Sequence, residues 1–199
     1  MEAQDTSFSR LVSLACHDLR TPLATVSGFA KTMVRMEGVD EKIARYLGMI
    51  DTAGGQLAEL LEELALAARI EDGRWDPMLG DLDSLQFARS AVEPLGDAVD
   101  VGGTGARVAV AREDACRALE ALTRCALRHG GLERVELRVA GPAFTITPVK
   151  EPTAAICLGR ELRDFSAAVA VRVIDALGGS TEPGADAIVV RLPLSSTEG

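Results

Sequence analysis

The chain has 199 residues, of which 47% are hydrophobic and 26% charged, enough for one or two domains with a buried core. Its formal net charge of −9 argues against nucleic acid as a partner, because binding a phosphate backbone requires a basic surface. No apolar run is long enough to span a membrane, and the polar start argues against a signal peptide. Four scattered cysteines without a C-x-x-C pair predict neither disulfides nor a zinc site, so we expect reduced thiols in a cytoplasmic protein.

The first predicted element is a helix over residues 5–37. Its apolar residues recur in steps of three and four, which is the period of an amphipathic helix. Pro22 lies inside this helix and predicts a bend, because proline cannot donate a hydrogen bond to the Asp18 carbonyl. The apolar positions are Val12, Ala15, Leu19, Leu23, Val26, Ala30 and Met33.

A second long helix follows after Gly38 and Asp40, and it carries a regular heptad pattern. Two long helices joined by a few residues predict an antiparallel hairpin. Because a hairpin alone leaves much of its apolar surface in water, we expect two copies to pair as a homodimer with a four-helix bundle. Gly54 and Gly55 inside this helix indicate either a close approach of the two helices or a hinge. The heptad positions are Ile43, Leu47, Ile50, Gly54, Leu57, Leu61, Leu64 and Ala68.

The pattern changes at the segment "EDGRWDP", so we divide the chain into a helical hairpin, residues 1–75, and a second domain, residues 76–199. Helices and strands alternate in the second domain, which predicts an α/β sandwich with a mostly antiparallel sheet and an α+β class for the whole chain. "GGTG" at 102–105 is interpreted as a loop or hairpin turn. The predicted helices are 84–95, 112–129 and 164–179, and the predicted strands are 106–111, 134–140, 143–149 and 187–194.

His17 is the candidate functional residue of the first helix. At about 100° per residue, it lies on the side of the helix away from Ala15 and Leu19 and therefore faces outward. Asp18 is placed to orient the imidazole or accept its proton, and Thr21 lies one turn later on the same face. A neutral imidazole is a good nucleophile, although an isolated exposed histidine is most often an ordinary surface residue.

The helix surface that follows His17 carries only short side chains, because Ala24 and Gly28 lie on the same outward face. Small side chains leave room for another protein, so we predict a docking surface that includes Arg20, Ala24 and Gly28.

The stretch "HDLRTPL", residues 17–23, resembles the H-box of the dimerisation and histidine-phosphotransfer domain of sensor histidine kinases. The resemblance implies that His17 accepts a phosphoryl group through Nε2 and that Asp18 assists the transfer. Thr21 matches the position that helps to place water when a response regulator is dephosphorylated. Arg20 and Pro22 also fit the motif.

The second domain is similar in element order to the ATP-binding domain of the gyrase, Hsp90 and histidine kinase type. The residues at its expected nucleotide-binding positions, however, differ from those of that family. The magnesium-binding asparagines would fall at Ala121 and Cys125, which offer no hard oxygen ligand. The segment "TPVKEPTAA" lacks the aspartate and glycines that bind adenine in that family. The glycine-rich box would fall at Asp164 and Ser166, and an aspartate there would cap the helix and repel phosphates. His129 is interpreted as a partner of its own helix dipole.

These features favour a histidine phosphotransferase of a two-component phosphorelay that needs no ATP or other cofactor of its own. The expected partners are receiver domains of response regulators, a hybrid histidine kinase, or both, with Mg²⁺ supplied by the receiver. Two alternatives stay open: an ATP-dependent sensor histidine kinase with a divergent nucleotide site, and a dimeric scaffold or receiver phosphatase that is never phosphorylated.

Overall fold

The computed structural model describes residues 8–36 and 40–195, with side chains from residue 12 onward. The chain divides into two compact units, Met1–Trp75 and Asp76–Gly199, and each is described by itself. The α+β class predicted from the sequence is confirmed.

The first unit is an antiparallel pair of long helices, α1 (Phe8–Val34) and α2 (Glu41–Glu71). Helix α1 continues through Pro22, and positions 5–7 and 37 of its predicted range lie outside the described residues. The Asp40 side chain accepts a hydrogen bond of 2.9 Å from the backbone N–H of Lys42, so it caps α2 as its sequence position predicts.

The two helices bury a narrow line of residues between them, among which are the small residues Cys16, Ala30 and Gly54 and the larger Leu47. The predicted heptad positions are therefore only partly covered within one chain. Those that stay exposed form a stripe along both helices, which we call the apolar stripe: Leu19, Val26, Met33, Ile43, Ile50 and Leu57.

The glycine pair of α2 has two different environments. A Cβ on Gly54 would collide with the hydroxyl of Ser27 on α1, whereas a Cβ on Gly55 would meet nothing within 4 Å. Helix α2 continues through both residues. Gly54 therefore serves the close approach of the helices, the first of the two possibilities that the sequence left open.

The second unit is built on a five-stranded sheet of order β2-β4-β5-β7-β6, in which only the β2–β4 pair is parallel. A separate antiparallel pair joins β1 to β3. The predicted hairpin about Gly141 and Pro142 is confirmed, since Ala140 lies opposite Ala143. The elements are β1 (Gly80–Asp83), α3 (Ser84–Val92), a 3-10 helix (Glu93–Ala98), β2 (Val99–Gly105), β3 (Arg107–Val110), α4 (Arg112–Gly130), β4 (Val135–Gly141), β5 (Ala143–Thr147), α5 (Thr153–Cys157), α6 (Phe165–Ala176), β6 (Ser180–Gly184) and β7 (Ala187–Arg191).

The core of this unit lies between the sheet and the helices α3, α4 and α6. Leu122 of α4 and Ile146 of β5 are fully buried. The Phe87 and Phe144 rings meet edge to face with centroids 5.8 Å apart, a favourable aromatic geometry. This unit therefore has a buried core of its own within one chain.

One interpretation of the sequence was wrong in this unit: "GGTG", taken as a loop or turn, forms the end of strand β2. Gly103 has φ +120°, and a Cβ there would collide with the Val139 carbonyl of β4. Glycine is thus required because the two strands approach closely, rather than because the chain turns. Strands β1 and β6 and the short helix α5 were also not predicted.

Candidate functional site

His17 lies on the exposed side of α1, and 78% of its side chain is accessible to solvent. Its Nδ1 is 3.1 Å from Oδ1 of Asp18, whose side chain is 67% accessible. When Nδ1 carries the proton that this contact calls for, Nε2 is left with its lone pair toward solvent. The pair can therefore present a nucleophilic nitrogen to a reacting group on another molecule.

The other predicted site residues lie on or near the same side of α1. Thr21 is exposed one turn after His17, and its carbonyl accepts a hydrogen bond of 3.0 Å from the Thr25 hydroxyl. Arg20 and Ala24 line an open groove between α1 and α2. Gly28 lies one turn further, exposed, with open space where a side chain would project.

The groove has polar and small walls. The Lys31 ammonium of α1 lies 3.4 Å from the Asp51 carboxylate of α2 and bridges the two helices across it. Gly55 adds no side chain on the α2 side. The surface next to His17 is thus recessed between two rigid helices, a shape that can receive a projecting element of another protein.

The apolar stripe lies on the other side of α1. Leu19 and Val26 point about 160–180° away from His17 at 100° per residue. The contacts between Lys31 and Asp51 fix the helix register, so Val26 of α1 lies at the level of Leu57 of α2. On α1, the apolar stripe and His17 therefore lie on opposite sides of the helix.

A second cluster of reactive side chains lies in the second unit and includes Cys125 and Asp164, which the resemblance to ATP-binding domains placed at magnesium- and phosphate-binding positions. Cys125 and Cys157 are buried, with their sulfur atoms 3.2 Å apart. Nε2 of His129 is 3.1 Å from Oδ2 of Asp164. One donor atom each from Cys125, His129 and Asp164 lies within 4.8 Å of the other two.

Asp164 holds the N-terminus of α6, as predicted. Its Oδ1 accepts a hydrogen bond of 3.0 Å from the backbone N–H of Ala167, while Oδ2 faces His129. A carboxylate therefore occupies the helix end where a phosphate would need free N–H groups. His129 was interpreted only as a dipole partner, and its pairing with Asp164 was missed.

Helix α5 precedes Asp164 in the chain, and its Thr153, Ala154, Ile156 and Cys157 side chains are buried. The Thr153 hydroxyl donates to the His129 carbonyl at 3.2 Å and ties α5 to the end of α4.

The contact with Cys157 and burial together raise the pKa of the Cys125 thiol above its ordinary value. This shift favours the neutral form of the Cys125 thiol. The sequence did predict that Cys125 would replace an oxygen ligand. The spacing of Cys125 and His129, four residues apart on one helix face, was the available signal that they form a site together.

Residues 9–73 match the His Kinase A (phospho-acceptor) domain family. The probable sensor histidine kinase TcrY of Mycobacterium tuberculosis is 30% identical over 97 residues, 49% of this chain and 20% of the relative. The histidine protein kinase DivJ of Caulobacter vibrioides is 30% identical over 108 residues, 53% of this chain and 18% of the relative. The chain thus spans about a fifth of the length of the curated relatives it matches.

A solved structure shares the fold over most of this chain. The crystal structure of full-length ShkA in complex with AMPPNP superposes with a TM-score of 0.70 over 93% of this chain and 46% of ShkA, at 15% identity. Within residues 8–36 and 40–195, no helix combines the length and apolarity that crossing a membrane requires.

Proposed function

We propose that this chain, which belongs to the sensor histidine kinase family through its phospho-acceptor domain, is a histidine phosphotransferase of a phosphorelay. In this proposal His17 accepts a phosphoryl group from a receiver phospho-aspartate and passes it to a second receiver. The observation that carries the proposal is the exposed His17 imidazole, with Nδ1 held by Asp18 and Nε2 open to solvent.

The transfer follows from the chemistry of this pair. The Nε2 lone pair attacks the phosphorus of the aspartyl phosphate, and the N–P bond forms as the acyl P–O bond breaks. The electron pair leaves with the receiver carboxylate. Nδ1 keeps its proton, and the adjacent Asp18 carboxylate balances the positive charge of the phosphorylated ring. The reverse displacement, by the carboxylate of a second receiver, returns the electron pair to Nε2.

The hairpin supplies what phosphoryl transfer needs most, which is alignment. Both functional residues lie on one rigid helix, and the groove lined by Arg20 and Ala24 opens beside them. We place the receiver in this groove, with Gly28 leaving space for its close approach. The receiver brings the Mg²⁺ that offsets charge on the transferring group.

Homodimerisation belongs to the same proposal. The apolar stripe exposes large side chains at positions seven residues apart on both helices, as in a bundle that lacks its second half. Pairing two stripes buries them and leaves both His17 side chains on the outside. Each dimer then offers two phospho-acceptors to receivers.

Independence from ATP is supported by the residues of the second unit. The buried residues Ala121 and Cys125 lie where magnesium ligands would be needed, and the Asp164 carboxylate accepts a hydrogen bond from the Ala167 N–H at the start of α6. Magnesium prefers oxygen ligands, and a carboxylate repels a triphosphate. These replacements oppose nucleotide binding at two separate points.

An ATP-dependent kinase is the second candidate, because both relatives named above are described as histidine kinases. A receiver phosphatase without phosphohistidine is the third, since Thr21 lies on the reactive face. The three candidates differ in where phosphate comes from and whether it is held on His17.

The test uses the full chain with a receiver labelled on its aspartate by a radioactive small-molecule phosphodonor. The chain contains two histidines, so His17→Gln and His129→Gln form a matched pair. We expect label to move to the wild type and to His129→Gln, with the acid lability of phosphohistidine, and not to His17→Gln. Loss of receiver label with His17→Gln at the wild-type rate would favour a phosphatase, and Thr21→Ala would then abolish that loss.

A further inference from the structure

We propose that Cys125, Cys157, His129 and Asp164 form a binding site for Zn²⁺ in the second unit. This site is independent of phosphoryl transfer at His17. It gives one role to Cys125 and Asp164, which occupy positions where nucleotide-binding residues are expected, and to their neighbours Cys157 and His129.

The donor set is of the kind that zinc selects. Zn²⁺ is commonly held by four ligands drawn from cysteine thiolates, histidine nitrogens and carboxylates in a tetrahedron. Magnesium prefers oxygen ligands and waters, so the same set disfavours it.

Three of the four donors already lie together, since one donor atom each from Cys125, His129 and Asp164 lies within 4.8 Å of the other two. With Zn–S bonds of about 2.3 Å, two thiolates lie about 3.8 Å apart, and an imidazole nitrogen and a carboxylate oxygen lie about 3.3 Å apart. The corresponding distances are 3.2 Å between the two sulfurs and 3.1 Å between His129 and Asp164. The Cys157 sulfur contacts that of Cys125 but lies outside the group of three, so closing a tetrahedron round the ion requires the Cys157 side chain to move toward His129 and Asp164.

The scaffold around the donors is already ordered. Cys125 and His129 lie one turn apart on α4, Cys157 ends α5, and Asp164 begins α6. The second Asp164 oxygen stays bonded to the Ala167 N–H, which orients the carboxylate as an outer contact would in a metal site. A bound ion would thus join three helices of the second unit.

Because the cluster is largely buried, a bound ion would be held inside the second unit and would stabilise its fold. Both thiols are buried, and the His129 and Asp164 side chains are 20% and 12% accessible. Binding replaces two thiol protons by one divalent cation and releases both protons to solvent, so no oxidant is required. The ion stabilises the second unit because binding favours the folded state.

The experiment measures zinc binding by the full chain, kept reduced and stripped with a chelator. Zinc is added in competition with a chromophoric chelator, and cobalt(II) serves as a spectroscopic probe. We expect one Zn²⁺ per chain and, with cobalt(II), intense tetrahedral d–d bands with sulfur-to-cobalt charge transfer. The thermal midpoint of the second unit should rise with zinc concentration.

The variants separate the proposed ligands from other donors. His129→Gln, Cys157→Ala and Asp164→Ser should each weaken zinc binding more than about tenfold, the loss already typical when only an outer contact is removed. Serine keeps the cap of α6, so Asp164→Ser tests the carboxylate alone. Cys116→Ser on the same helix and His17→Gln on the hairpin should bind zinc as the wild type does.

Several outcomes would overturn the site. They are an absence of stoichiometric zinc binding by the wild type, equal binding by the ligand and control variants, or a Cys125–Cys157 disulfide in protein purified under reducing conditions. Circular dichroism in chelator checks that each variant folds. Should a variant fail to fold, the cobalt(II) spectrum of the wild type decides: weak octahedral bands without thiolate charge transfer would contradict the proposal.

Discussion

The two units of this chain differ in how far they bury their large apolar side chains. In the second unit Leu122, Phe144 and Ile146 are fully buried, whereas in the hairpin Val26 and Leu57 are each more than half exposed. Burial of apolar surface is the main favourable contribution to folding. The second unit therefore forms its core within one chain, while the hairpin that carries His17 is completed by association in our proposal.

The largest expected effect comes from the core of the second unit. Leu122→Ala should lower its unfolding free energy by about 2–5 kcal/mol, since it removes buried methyl groups and leaves a cavity. Calorimetry of the full chain measures the loss. Sedimentation should show an unchanged oligomeric state, and dissociation by this variant would mean that association depends on the second unit.

The next effect tests the hairpin in the same way. Val26→Asp combined with Leu57→Asp places charges at one level of the apolar stripe and should weaken dimerisation by more than about a hundredfold. Thr52→Asp, on an exposed α2 position away from the stripe, is the matched control. Analytical ultracentrifugation measures both. Equal dimer affinity of the two variants would show that the apolar stripe is not the dimer interface.

A smaller effect separates the two glycines of α2. Gly55→Ala should stabilise the hairpin by about 1 kcal/mol, because alanine loses less backbone entropy in a helix and enters open space. Gly54→Ala should gain less, since its methyl group forces the Ser27 hydroxyl to move. Chemical denaturation followed by circular dichroism compares the two, and identical gains would show that close approach at Gly54 has no energetic consequence.

The smallest effect is on the surface of the second unit. The hydrogen bond from Arg107 lowers the pKa of Asp81, with an Nη2–Oδ2 distance of 2.6 Å. Such a pair stabilises the fold above the ordinary carboxyl pKa, and this contribution is lost as pH falls through the lowered value. Arg107→Gln should therefore slightly lower the melting temperature at neutral pH, and the difference from wild type should vanish in acid. A difference that persists in acid would assign the effect to packing.

Features that depend on residues close together in the chain were predictable from the sequence. The two hairpin helices follow from repeated three- and four-residue steps, and the outward position of His17 follows from helix geometry alone. The Asp164 cap was predicted correctly because capping depends on residues adjacent in the chain.

Features that depend on distant residues were not predicted. Strand β2 ends in glycines, which usually indicate turns, and its pairing with β4 across the sheet requires the absence of a side chain at Gly103. The contact of Cys125 with Cys157 joins positions 32 residues apart, so no local pattern shows it. The four cysteines were accordingly interpreted as unconnected thiols.

The central claim is that His17 holds the phosphoryl group and that another protein supplies it. The most direct measurement is mass spectrometric mapping of the phosphorylated residue after the chain is incubated separately with a phosphorylated receiver and with Mg-ATP alone. We predict phosphate on His17 with the receiver and none with Mg-ATP. Phosphate on another residue, or phosphorylation of His17 by Mg-ATP without a second protein, would contradict the account.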